Sequence, residues 1–127
     1  MEAMWTRFLP QMVVIRDWLA KGLLGEVITV AADHGKWFPE DPAFRLFAPA
    51  LGGGALLDLG VYPVSLASMV LGTPNRILAM SDPAFTGVDA QTSMLFGYES
   101  TGGVDLYLAG RESKEGSDRR NRREDRD

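Results

Sequence analysis

Cysteine is absent from these 127 residues, which excludes a disulfide framework and a thiolate zinc site. There is one histidine, His34, so a histidine-rich metal centre and a His–His relay are excluded too. No carboxylate cluster has metal-ligand spacing, and no metal site is expected. Uninterrupted apolar runs are also missing. Every stretch that approaches the roughly 18 to 20 residues of a membrane span is broken by Asp, Gly or Pro. The opening segment MEAMWTRFLP lacks a basic stretch followed by an apolar one, so it does not read as a signal peptide. These absences lead to the expectation of a soluble, cytoplasmic protein with no membrane partner.

Surplus positive charge is scarce where it would matter. The formal net charge is −4, and seven of the thirteen Lys and Arg residues fall in RESKEGSDRRNRREDRD, the last seventeen positions. Residues 1–110 are left with six basic and eleven acidic side chains. That body offers no basic surface to a phosphate backbone, and no nucleic-acid partner is expected. In the segment 111–127, six acids alternate with the seven bases and no apolar residue occurs. Such a segment buries nothing to offset its ordering entropy, and it is expected to be a disordered charged tail.

What is present has a readable order. PQMVVIRDWLAKG predicts a helix, with Pro10 in the first turn and Gly22 just past the end. GEVITVAAD, rich in β-branched residues, predicts a strand over Glu26 to Asp33. A long segment with three prolines follows, HGKWFPEDPAFRLFAPALGGG, and its aromatic content argues against disorder. A helix is expected from about Gly54 to Leu71, ended by GTPN. RILAMSDP, AQTSMLFGYES and GGVDLYLAG then read as three strands, with STGG as a tight turn between the last two. In the second of these, Thr92, Met94 and Phe96 share one side and Ser93, Leu95 and Gly97 the other. Helix, strand, loop, helix and three consecutive strands predict an α+β fold with a mainly antiparallel sheet.

The candidates for chemistry each admit two readings. The glycines of LGGGALLDLGVYPV match neither the dinucleotide fingerprint G-x-G-x-x-G nor the Walker pattern, and they serve a phosphate loop or simply the start of a helix. On a regular helix Asp58 and Tyr62 stand at i and i+4 on one side. They line a pocket, or they are a surface acid and a packing aromatic. His34 closes the predicted strand as a satisfied polar residue or as a pocket residue. Trp37, Phe38, Phe44 and Phe47 form a private core for their loop, or part of a binding wall.

EAMWTRFLPQMVVIRDWLAKGLLGEV, the following ADHG, and APALGGGALLDLGVYP together resemble the Gfo/Idh/MocA oxidoreductases. The nearest resemblance is to the branch that holds the dimeric dihydrodiol dehydrogenases and NADP-linked xylose dehydrogenases. It implies an open antiparallel sheet with helices on one face, a truncated counterpart of the glyceraldehyde-3-phosphate dehydrogenase-like C-terminal domain. Residues 1–110 would be the fragment of that domain on the substrate and dimerisation side. It implies an NAD or NADP cofactor, a sugar or diol CH–OH substrate, and a homodimer formed through the sheet.

Residue by residue, Trp5 and Arg7 match the W-x-R motif beside the nicotinamide, and Asp58 and Tyr62 match the catalytic acid and tyrosine of that branch. His34 and Phe38 fall where further substrate-pocket side chains belong. The family's glycine fingerprint and its Glu-Lys-Pro motif with the catalytic lysine do not occur in this sequence, so the chain alone is expected to be inactive. A stand-alone dimerisation module, or a small-molecule binding module without catalysis, is the competing expectation.

Overall fold

The computed structural model describes residues 4–98 and the backbone of Leu108–Ala109. The expected turn at 100–103, most of the third expected strand and the tail at 111–127 lie outside the described residues.

A short 3-10 turn, Trp5–Phe8, leads into helix α1, Pro10–Ala20. Pro10 occupies the first turn, where a missing N–H costs nothing. The far end closes as a Schellman motif. Gly22, at φ 65°, donates its N–H to Leu19 O (3.1 Å), and Leu23 N–H donates to Trp18 O (3.0 Å).

Residues 21–60 are largely irregular, and they are ordered by packing. Phe38, Phe44, Phe47 and Phe85 form a chain of rings with successive centroids 5.5, 6.5 and 5.1 Å apart. Phe47, at its middle, is only 1% exposed. Trp37 stays outside this cluster and is exposed, so the aromatic loop has a core without its tryptophan.

The glycine run serves close approach. A Cβ on Gly53 would stand 2.5 Å from the Leu46 carbonyl oxygen, and one on Gly54 would run into the Asp89 carboxylate. Gly54 also has φ 122°, which side-chain-bearing residues rarely adopt. Through this gap Asp89 Oδ2 accepts hydrogen bonds from Leu56 N–H (2.7 Å) and Thr92 Oγ1 (2.8 Å). The Thr92 and Ser81 hydroxyls are 2.9 Å apart, which carries the network to the neighbouring strand.

The helix that follows is not uniform. Leu56–Gly60 is a π turn, and the α-helix proper, α2, spans Val61–Leu71. Pro63 supplies the reason: it has no N–H to donate, and in a regular helix its ring would strike the carbonyl of Leu59. Widening the preceding turn relieves that clash. By length and composition alone, Pro49–Leu71 would suffice to cross a bilayer, with 23 residues at mean hydropathy 1.6. The positive φ angles of Gly52 and Gly54 break it into separate turns, and the 11 residues of α2 are shorter than a span requires.

Strands β1, Arg76–Pro83, β2, Asp89–Gly97, and β3, Leu108–Ala109, form an antiparallel sheet in the order β1-β2-β3. The alternation expected in β2 is present, with Thr92, Met94 and Phe96 buried and Leu95 exposed. Val64, Ala67 and Leu71, spaced as one stripe of α2, pack on Met94, Phe96 and Tyr98. The fold is α+β, with the helix on one face of an antiparallel sheet. Burial pushes the Tyr98 phenol above its ordinary pKa, and its hydroxyl has no hydrogen-bond partner among the described residues.

One expected element does not form. Residues 26–33, read as a strand, belong to none of the ladders described. Among the described residues the outer edge of β1 stays open, so strand composition alone did not bring the segment into a ladder. The segment instead lays Val30 and Ala32 against the helix–sheet core.

The Asp89 junction should dominate local stability. Asp89→Ala leaves the Leu56 N–H without this acceptor, while the Thr92 hydroxyl keeps Ser81 Oγ, and should cost about 1–3 kcal/mol. Gly54→Ala should cost about 2 kcal/mol or more through its backbone angle and the clash. Urea unfolding of both variants checks this, and changes under about 0.5 kcal/mol would show that the junction is not structural.

Candidate active site

Three segments converge on one cavity of about 380 Å³. The N-terminal turn contributes Trp5, Thr6 and Arg7, the end of the expected strand and the residue after it contribute Asp33 and His34, and α2 contributes Tyr62, Ser65 and Met69. Tyr62 is the ring that meets both other aromatic groups. Its centroid lies 6.5 Å from that of Trp5 and 5.4 Å from that of His34, in edge-on arrangements of 66° and 62°. Pro63 places Tyr62 at the start of α2, directly after the π turn. Arg16 fixes the N-terminal turn from α1: its Nη1 donates to the Arg7 carbonyl (2.6 Å) and lies 3.7 Å from Met69 Sδ of α2.

The ionised groups on this wall are Arg7 and Asp33. Neither side chain has an ion pair or hydrogen bond among the described residues. Arg7 is half-buried, whereas Asp33 and His34 are exposed at the rim. The lining is otherwise mostly apolar, including Leu9, Met12, Leu66 and Met69. Such a wall can seat a ring or a carbon skeleton while the few polar groups fix its orientation.

Of the six residues singled out from the sequence, the fold brings Trp5, Arg7, His34 and Tyr62 together here. Asp58 and Phe38 lie elsewhere. They line a neighbouring cleft of about 20 Å³, with Lys36, Phe47 and Asp89. Asp58 Oδ1 is paired with Arg45 Nη2 at 2.7 Å, and Asp58 and Tyr62 share no hydrogen bond. The i,i+4 expectation assumed a regular helix, and the π turn Leu56–Gly60 changes which residues stack over one another. Phe38 is held by Phe44 and lies 5.5 Å from it, with Lys36 Nζ 5.4 Å from the Phe38 ring centroid.

Sequence reasoning did not single out Asp33, Arg45 or Asp89. Asp33 adjoins His34 in ADHG, and this adjacency was a usable signal. Nothing local marks the reach of Asp89 to the helical run, where its partner Leu56 is 33 residues away.

Residues 12–120 match the model of the GFO/IDH/MocA C-terminal domain, and the chain belongs to that family. The matched span continues ten residues beyond Gly110, where the sequence turns into its charged tail. Among relatives, the chain is similar to trans-1,2-dihydrobenzene-1,2-diol dehydrogenase of Macaca fuscata fuscata. The two are 43% identical over 100 residues, covering 77% of this chain and 29% of that enzyme. The chain thus spans about three-tenths of the length of the curated relatives it matches.

Two solved structures are similar as well. Aldose-aldose oxidoreductase from Caulobacter crescentus, complexed with glycerol, superposes with a TM-score of 0.73 at 26% identity, over 85% of this chain and 33% of that one. KijD10, a 3-ketoreductase from Actinomadura kijaniata in complex with NADP and TDP-benzene, gives 0.69 at 28% identity, over 86% and 33%.

The Arg45–Asp58 pair joins side chains that are 64% and 21% exposed, so water screens much of its attraction. Arg45→Ala should therefore lower unfolding free energy by about 1 kcal/mol or less. A urea-measured loss above about 2 kcal/mol would instead make the pair a support of the fold.

Proposed function

We propose that the 380 Å³ cavity is the substrate wall of an NAD(P)-dependent oxidoreductase acting on a CH–OH group of a sugar or diol. The observation that carries this reading is the convergence of Trp5, Arg7, His34 and Tyr62 from separate segments onto one apolar-walled cavity. Family membership and relatives named for diol and aldose chemistry support it.

Trp5 and Arg7 fit the nicotinamide end of the cofactor. Trp5 is 60% exposed and offers a stacking surface, and the Arg7 guanidinium has donors without partners among the described residues. The glycine fingerprint for the pyrophosphate does not occur in these 127 residues, and in this reading they contribute to the nicotinamide end. When bound, the nicotinamide accepts or supplies the hydride.

This chain's part is to handle the proton and the orientation. Hydride can leave a carbinol carbon only as the hydroxyl proton is taken, so an acid–base group must reach that oxygen. Tyr62 is the group in the centre of the wall, and in this reading its phenol oxygen takes or returns the proton. His34, edge-on to Tyr62, orients the ring and borders the substrate. Asp58 acts from the other side of the π turn. Held by Arg45, it fixes the turn from which Tyr62 projects and serves as a positioning residue. Phe38, in the same cleft, backs that turn.

We further propose self-association through the far face of the sheet. Register pairs share a face, so Leu78 opposite Leu95 and Met80 opposite Ser93 lie on the side away from α2. Leu78 is 68% and Met80 75% exposed. Of the other apolar residues considered from sequence, Leu106 and the Leu108 side chain lie outside the described residues. Sedimentation at about 50 μM, on the scale of weak assembly, should show a dimer, and Leu78→Lys with Met80→Lys should abolish it. A parent that sediments as a monomer refutes the association.

The catalytic reading is tested by joining this chain behind the dinucleotide-binding domain of a relative. Tyr62→Phe should lower kcat/KM for a diol by about 10²-fold or more, with the melting temperature unchanged. Turnover near the parental value would remove Tyr62 from the chemistry.

A further inference from the structure

Strand β1 is the free margin of the sheet. It stands at one end of the order β1-β2-β3, and all eight of its residues, Arg76–Pro83, are exposed. No strand lies along its outer edge among the described residues. Open edges are ordinarily blunted by charge, proline or a bulge. From Ile77 to Ser81 the strand has none of these, and its one register irregularity comes between Asp82 and Pro83. On the helix face Ile77, opposite Phe96, is 57% exposed, so α2 does not cover this edge.

The charges at the two ends of the strand choose a partner. Arg76 and Asp82 share the face of Leu78 and Met80. Neither charged side chain has an ion pair or hydrogen bond among the described residues. If two β1 strands run antiparallel with Ala79 opposite Ala79, Arg76 of each copy stands opposite Asp82 of the other. Leu78 then meets Met80, and Ile77 meets Ser81. A slip of two residues sets Arg76 opposite Met80 or Asp82 opposite Leu78, and a slip of one sets opposite faces against each other. Only the register centred on Ala79 pairs both charges, and two-fold symmetry makes each pair occur twice.

We infer that β1 is a self-recognition edge: two copies of this chain join β1 to β1, antiparallel about a two-fold axis at Ala79, into one continuous sheet. This rests on the self-association proposed above and gives it an arrangement, side by side. The exposed apolar residues of the two far faces then form one patch, with Leu78 and Met80 in contact across the axis. Backbone hydrogen bonds along the edge supply affinity, and the Arg76–Asp82 pairs fix the register.

The test uses the 127-residue chain, which has no cysteine of its own. Ala79→Cys should give a disulfide-linked dimer on mild oxidation, because directly opposed residues have Cα atoms about 4.5–5.5 Å apart, within disulfide reach. Copies stacked by their far faces would carry Ala79 on the outside, and no link would form. In sedimentation, Arg76→Asp alone and Asp82→Arg alone should each raise the dimer Kd by about tenfold, since each sets like charges opposite one another at two symmetric places. The double exchange should return Kd to near the parental value. Within one copy these two residues are about 20 Å apart along the strand, so such a rescue can come only from the second copy.

Absence of the Ala79→Cys link, or a double exchange no better than the single ones, overturns the edge pairing. If the parent nonetheless dimerises, self-association stands and only its side-by-side arrangement falls. A parent that remains monomeric at about 50 μM removes both readings together.

Discussion

The arrangement depends on one carboxylate reaching a backbone that has no side chain in the way. Asp89, at the start of β2, accepts the Leu56 N–H at the beginning of the helical run and the Thr92 hydroxyl of its own strand. Sheet and helix are thereby fixed to each other at a point, and Gly54 is the residue that leaves room for it. Residues with unsatisfied donors at a helix start are usually served by a local capping side chain. Here the acceptor comes from a strand, so the start of the helical run is satisfied by a tertiary contact. The helix axis, and with it the direction of Tyr62, is inherited from the sheet.

The second constraint is Pro63. A proline three residues into a helix is tolerable when the turn before it widens, and the π turn at Leu56–Gly60 is that widening. Its consequence reaches the chemistry. Asp58 turns into the cleft with Arg45, Lys36 and Phe38, and Tyr62 turns into the larger cavity with Trp5 and His34. Two side chains four positions apart serve two compartments.

Both cavities combine regular elements with chain segments that have little regular structure. The N-terminal turn is held by Arg16 through a backbone carbonyl, and the segment around His34 is held by Val30 and Ala32 on the core. Irregular segments positioned by a packed scaffold are where binding groups commonly sit. The sheet contributes its far face as well, where Leu78 and Met80 lie open beside the exposed Leu95.

Much of this was legible in order along the chain. The limits of α1, with Pro10 at its start and Gly22 past its end, follow from φ restrictions and end-group satisfaction, which are local. The alternation of Thr92, Met94 and Phe96 follows from a strand's two-residue period. Four candidate residues marked by motif resemblance, Trp5, Arg7, His34 and Tyr62, line one cavity. What failed locally was decided by distance. Residues 26–33 have strand composition, yet packing lays Val30 and Ala32 on the helix–sheet core and not beside a strand edge. Asp89 has a local partner in Thr92, but its helix partner Leu56 lies 33 positions off and the Arg45 partner Asp58 lies 13 off, beyond any local signature. Sequence alone determined which segments are apolar, where the backbone bends and which side chains could do chemistry. Tertiary structure decided which cavity each of those side chains enters, because a single proline changed the helical register and only packing against the sheet could fix its direction.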